Sequence, residues 1–337
     1  LRHSMDIAER CAPGGTFLRP GHQILPTFPT PDRAPAGAYL RHLCEKELSR
    51  RYPHHPPTAQ LRRELALIGE LGLDNYFLIV ADIARFAREA GIAHQGRGSA
   101  ANSLVAYLLG ISPIDPVAVE LVFERFLSRE RPRPPDIDID FAADRREEVI
   151  QYIYHLYGRD HVAMACTLVT YRSRSAVRDV ARALGFPAAL VGRLSKELDL
   201  HHAESVHQGT ELTRNLGVDL SATAYQHLLR LAQRLQGIPR HLGIHNGGMI
   251  LSGPPLATLM PIEPASMPNR TVVQWDKEAL EDAGIIKVDI LGLRMLSAVH
   301  DAVVLIEKHG GPSVDLDRIP RTTLKSTRCC RAAKRWA

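Results

Sequence analysis

At 337 residues, with 45% hydrophobic and 23% charged side chains, the chain has the composition of a globular protein large enough for two or three subdomains. Its 42 Lys+Arg against 37 Asp+Glu leave a formal charge of +5, too little to argue by itself for a polyanionic partner. No apolar run reaches the roughly 18 residues of a membrane span, and the opening residues lack the apolar core of a signal peptide. The five cysteines include no C-x-x-C pair, so a cytoplasmic protein without a disulfide framework is expected.

Residues 11–57 are rich in proline, glycine and histidine and read as loops around one short helix near 38–50. Residues 58–91 carry a helical apolar period in two runs, broken at Gly72. The following stretch, QGRGSAANSLVAYLLG, predicts a glycine turn with Gly96, Gly98 and Ser99 at the start of a helix. Free N–H groups and the helix dipole at such a start suit a phosphate. The turn lacks the G-K-[ST] end of a Walker loop, and by itself a glycine-serine start is usually a plain cap. Arg125, Arg131 and Arg133 come next, placed to clamp a triphosphate or simply to neutralise the acidic segment after them.

That segment, PPDIDIDF, sets Asp136, Asp138 and Asp140 in alternation with Ile137, Ile139 and Phe141. The period is that of a half-buried strand with its carboxylates on one face. Neighbouring carboxylates about 7 Å apart repel by roughly 2–3 kcal/mol at an effective dielectric near 20. Positive charge is therefore expected opposite. A solvated face salt-bridged to arginines is one reading. A calcium loop is excluded, because its sixth position needs a sharply turning glycine and holds Phe141. The third reading is a divalent-metal centre for phosphoryl transfer, in which carboxylates from neighbouring strands converge. GIIKVDILGL supplies the third carboxylate: Asp289 stands in an apolar strand with Lys287 on the same face. An edge-strand aspartate with a water or lysine partner is the alternative.

After the acidic strand, Asp144 with Glu147 predicts a capping box, and Gly158 closes that helix. Residues 172–236 read as a helical subdomain. On one of its helices Arg174, Arg178 and Arg182 recur every four residues, as a phosphate-backbone footprint or a solvated face. Val177, Val180, Ala181 and Leu184 form the opposite, core-facing stripe. In HLGIHNGGMI, His241 and His245 lack a cysteine or acidic partner nearby for zinc, and an Asn-Gly turn leading into a strand is preferred. Residues 321–337 break with what precedes them and read as an atypical tail, disordered or out of frame.

Taken in order, GRGS, FERFL, PDIDIDF, HLGIHNGGMI, TVVQWDK and KVDILGLRML resemble the bacterial C-family DNA polymerases, the alpha subunits of polymerase III and their error-prone relatives. The resemblance runs from about residue 3 to about 318 and is closest to the error-prone branch. It implies an α+β fold: a palm of the polymerase-beta-like nucleotidyltransferase type, split in sequence around a helical thumb. Residues 58–167 and 244–295 would form the palm, 168–243 the thumb, and 296–320 the start of the fingers. Residues 1–57 would be a remnant or linker after a missing PHP domain, and the chain a truncated piece.

The resemblance also implies template-directed DNA synthesis with two Mg²⁺ ions held by Asp136, Asp138 and Asp289. Asp140 is not among the family's metal ligands. Gly98, Ser99, Arg125 and Arg131 would bind nucleotide phosphates, and Lys287 would stand at the primer terminus. Expected partners are primed template DNA, deoxynucleoside triphosphates and other damage-tolerance components. A DNA-holding fragment without polymerase activity, or another nucleotidyltransferase on the same palm, stand as rivals.

Overall fold

The computed structural model describes residues 2–10, 24–130, 135–197, 222–285 and 287–314. The chain divides into two compact units, Leu1–Ala165 with His245–Ala337, and Cys166–Ile244. Among the described residues no helix is long and apolar enough to cross a membrane.

The first unit opens with α1 (Arg2–Arg10), α2 (Ala36–Arg51), α3 (Thr58–Glu70) and α4 (Asp74–Glu89). Each of the last three buries one stripe: Leu40, Cys44 and Leu48 on α2, and Leu61, Leu65 and Ile68 on α3. On α4 the stripe widens to include Tyr76, Phe77, Ile79, Val80 and Ile83. The break between α3 and α4 is Gly72, at φ +66°, a conformation in which a Cβ is strained. β1 (His94–Arg97) leads into a 3₁₀ turn over Gly98–Asn102 and then into α5 (Leu104–Leu108). β2 (Asp138–Ala142) precedes α6 (Arg146–Tyr157), which Gly158 closes at φ +85° as expected.

β3 (Val162–Thr170) and β4 (Pro239–Leu251) contain the boundaries between the units. The second unit holds α7 (Ser173–Ala183), α8 (Ala188–Glu197) and α9 (Thr223–Leu235). They pack around Ala176, Val177, Ala181, Val191, Leu194, Leu228 and Ala232. The first unit resumes with β5 (Ile262–Pro264), β6 (Thr271–Val273), α10 (Lys277–Asp282), β7 (Lys287–Leu293) and α11 (Arg294–Lys308).

The strands form one mixed seven-stranded sheet in the order β1-β2-β7-β4-β3-β6-β5. β2 and β7 pair in parallel, and each also has an antiparallel neighbour, β1 and β4 respectively. This α/β arrangement agrees with the α+β expectation. Ile137, Ile139 and Phe141, together with Val288 and Ile290 of β7, are almost wholly removed from water. That burial turns the alternate residues of both strands to the opposite face.

Four local expectations are corrected. The glycine-serine turn does not start an α-helix: Gly96 lies in β1, Gly98 and Ser99 lie in the 3₁₀ turn, and Ser103 caps α5. Asp144 and Glu147 form no capping box. Asp144 instead accepts from Ser297 Oγ–H of α11, while Glu147 pairs with Arg270. The Asn-Gly turn is absent, because β4 runs unbroken through Asn246 and Gly247 and neither has the positive φ such a turn requires. Leu184 is 42% exposed rather than core-facing, since α7 ends at Ala183 before its stripe returns to that side.

Candidate active site

The parallel register of β2 and β7 places Asp138 directly opposite Asp289. On the other side of β2 the antiparallel register places Arg97 opposite Asp138. Cross-strand partners project to the same face, so one surface carries Arg97, Asp138, Asp289 and Lys287. Asp136 joins them just before β2, where Ile137 N–H donates to the buried Tyr76 Oη at 3.2 Å and fixes the strand's approach. Carboxylate oxygens of Asp136, Asp138 and Asp289 lie within 4.8 Å of one another.

Two cations oppose this charge. Lys287 Nζ donates to both oxygens of Asp136, at 2.8 and 3.0 Å, and to Asp289 Oδ2 at 2.6 Å. Burial alone would lower the Lys287 pKa, but these carboxylate bonds outweigh it and hold the pKa above its ordinary value. Arg97 Nε stands 3.6 Å from Asp138 Oδ2 and 3.5 Å from Asp140 Oδ1. The positive charge expected opposite the strand is thus Lys287 and Arg97. Arg97 escaped the sequence reading. The signal for it was present in G-R-G-S, but only the β1–β2 register reveals which strand it faces.

Four carboxylates against two cations leave net negative charge on a partly buried face. The Asp138 carboxyl is pushed up to about 6, first by burial and then by repulsion from Asp136 and Asp289, with Arg97 working against the rise. Asp289 Oδ1 is buried and has no hydrogen-bond partner among the described residues. A buried carboxylate oxygen left unpaired costs free energy, and a hard divalent cation bound by oxygen ligands would satisfy it. Converging carboxylates, an orphaned oxygen and a charge deficit make the donor set fit such an ion. Asp140 is largely buried and held by Arg97, outside the trio that converges.

The phosphate-facing candidates are less concentrated. Gly98, at φ +68°, comes within 4.0 Å of Asp138 Oδ2 at the position a Cβ would take, so the 3₁₀ turn borders the carboxylates. Ser99 in the same turn is exposed. Arg125 is also exposed, in a short 3₁₀ turn (Phe123–Arg125), and makes no ion pair with a described residue. Arg131 and Arg133 lie outside the described residues. In the second unit, Arg174, Arg178 and Arg182 are exposed on α7, and Arg182 approaches Asp179 at 4.0 Å.

Residues 38–292 match the family model described as the bacterial DNA polymerase III alpha NTPase domain. The chain is 46% identical over 324 residues to the error-prone DNA polymerase of Methylococcus capsulatus, covering 95% of this chain and 30% of that protein. It is 50% identical over 284 residues to that of Anaeromyxobacter dehalogenans, covering 82% of this chain and 25% of the relative. The error-prone DNA polymerase of Mycobacterium tuberculosis is 45% identical over 318 residues, covering 93% of this chain and 28% of the relative. The chain therefore spans between 25% and 30% of the length of these relatives.

Proposed function

This chain belongs to the bacterial DNA polymerase III alpha family, and on that premise we propose that it carries the catalytic centre of a template-directed DNA polymerase of the error-prone type, acting in damage tolerance and repair. The observation that carries the reading is the register of β2 and β7. It sets Asp138 beside Asp289 with Asp136 in reach, and leaves Asp289 Oδ1 without a partner among the described residues. The substrates are primed template DNA and deoxynucleoside triphosphates. Asp136, Asp138 and Asp289 hold two Mg²⁺ ions. When bound, the ions lower the pKa of the primer 3′-hydroxyl and neutralise charge on the departing pyrophosphate.

Around that centre the chain's own groups bind and orient. Gly98, Ser99, Arg125 and Arg131 hold the triphosphate, and Lys287 stands at the primer terminus. Arg174, Arg178 and Arg182 meet the DNA backbone. In this reading the palm runs over 58–167 and 244–295, nearly all of it in the first unit. The second unit supplies a helical thumb at 168–243, and 296–320 begins the fingers. The division into two units with boundaries in β3 and β4 supports it. The chain's similarity to error-prone DNA polymerases supports the error-prone branch.

The test is single-nucleotide incorporation on a primed template with Mg²⁺, comparing this chain with Asp289→Asn. Loss of incorporation by about 100-fold or more in the variant is expected if Asp289 holds the metals. Equal rates in the two would remove Asp289 from the reaction. A second reading, for which the exposed Arg174, Arg178 and Arg182 of α7 speak, is that this chain by itself holds DNA without extending it. Salt-sensitive DNA binding with no incorporation by either protein would select that reading.

A further inference from the structure

The segment His245-Asn246-Gly247-Gly248 makes no turn, which leaves its composition to be explained. The His245 ring folds back onto its own strand, where Nδ1 accepts from the N–H of Gly247 at 3.2 Å and from that of Gly248 at 2.7 Å. A ring nitrogen that accepts two N–H bonds carries no proton, so the ring proton sits on Nε2. Nε2 has no hydrogen-bond partner among the described residues, and the side chain is half-buried.

The glycines make room for this ring. A Cβ on Gly248 would lie 2.9 Å from His245 Nδ1 and 3.3 Å from Asp289 Oδ1. Gly248 is the cross-strand partner of Asp289, so that Cβ direction points to the carboxylate face. The place of the missing methyl group is thus close to both the imidazole and the orphaned oxygen. A Cβ on Gly247 would press on the Leu291 side chain and lie 3.1 Å from Ile290 O, so bulk there would require that side chain to shift.

A donor of fixed tautomer, unpartnered among the described residues and near Asp289 across Gly248, suits an oxygen anion brought to the carboxylate face. We infer that His245 Nε2–H donates a hydrogen bond to a non-bridging phosphate oxygen at the Asp136–Asp138–Asp289 centre, which makes it a substrate-binding residue. The oxygen belongs either to a nucleoside triphosphate or to the DNA backbone, and no proton is transferred. The inference rests on the polymerase reading above.

Two variants separate this role from a structural one. His245→Asn keeps an acceptor near the Nδ1 position but has no distal N–H, whereas His245→Gln offers a distal N–H. His245→Asn is expected to unfold at the wild-type denaturant concentration yet to incorporate nucleotide about ten-fold more slowly, as for one lost charged hydrogen bond. His245→Gln is expected to retain more of the rate. In the wild type, ¹⁵N-histidine NMR, with His245→Asn used for assignment, is expected to show the Nε2–H tautomer. Its Nε2 signal is expected to move on titration with deoxythymidine triphosphate and Mg²⁺, or else with primed duplex DNA. A response to the first alone assigns a triphosphate oxygen, and a response to the second alone a backbone oxygen. Wild-type incorporation by His245→Asn, or an unmoved Nε2 signal while both ligands bind, would overturn the inference. Failure of the wild type to bind either ligand would instead sink the polymerase reading, and the inference with it.

Discussion

Asp138 sits between an aspartate and an arginine, and its protonation couples the site to the stability of the fold. Its folded pKa, about 6, lies above the ordinary 3.8. A carboxyl with a raised folded pKa contributes stability that is fully present below pH 3.8 and is lost as pH rises through about 6. Without divalent metal, the urea midpoint of the wild type is therefore expected to fall across this window relative to Asp138→Asn. Millimolar Mg²⁺ should flatten the difference, and a difference independent of pH would refute the coupling. Lys287 acts on the same balance. Lys287→Met leaves Asp136 and Asp289 uncompensated and is expected to cost about 3–5 kcal/mol by denaturant titration. Added Mg²⁺ should restore more stability to this variant than to the wild type, by linkage. The shared face of Asp136 and Asp138, and that of Lys287 and Asp289, was legible within each strand from alternation at period two. Arg97 was not, since its partner depends on which strand lies beside β1.

At the scale of elements, several ends are held by distant side chains rather than by neighbours in sequence. α5 has only five residues, and the N–H groups of Leu104 and Val105 donate to the Glu64 carboxylate of α3, both at 3.1 Å. Ser103 Oγ–H and Gln60 Nε2–H also donate to Glu64. Burial drives the Glu64 pKa up, and these four bonds oppose that rise. Glu64→Ala would strand two backbone donors in the core, and a loss of about 3–5 kcal/mol is expected on urea unfolding. A loss under about 1 kcal/mol would show that the strapping of α5 to α3 contributes little. β4 illustrates the same point with space instead of charge. Gly248→Ala inserts a methyl between His245 and Asp289 and is expected to cost about 1–3 kcal/mol through overpacking. Sequence proximity suggested a capping box at Asp144 and a turn at Asn246. A tertiary partner, Ser297, overruled the first, and the unbroken strand β4 replaced the second.

At the scale of the whole molecule, the modest net charge of +5 hides its arrangement. Arg174, Arg178 and Arg182 share one exposed face of α7 in the second unit, while the acidic trio lies in the first. If the arginine face meets DNA phosphates, replacing all three by glutamine should lower the slope of log K against log salt by about 2–3, since each phosphate contact contributes roughly 0.9. An unchanged slope would make α7 a plain solvated face. Fluorescence anisotropy with a primed duplex at several salt concentrations reads this directly.

The sequence by itself determined which residues are apolar and at what period. That was enough for the helices from 36 to 89, the acidic strand, the apolar strand bearing Lys287 and Asp289, and the glycine stops at 72 and 158, because local backbone preference and burial act over a few residues. The order of its motifs also carried the family. Only the tertiary structure decided strand order and register. Those place Asp138 between Arg97 and Asp289, leave Asp289 Oδ1 without a partner among the described residues, and bring Gly248, with the His245 ring against it, beside Asp289. Residues far apart in the chain meet according to how sheets and helices pack as whole bodies, a matter that no local window of sequence contains.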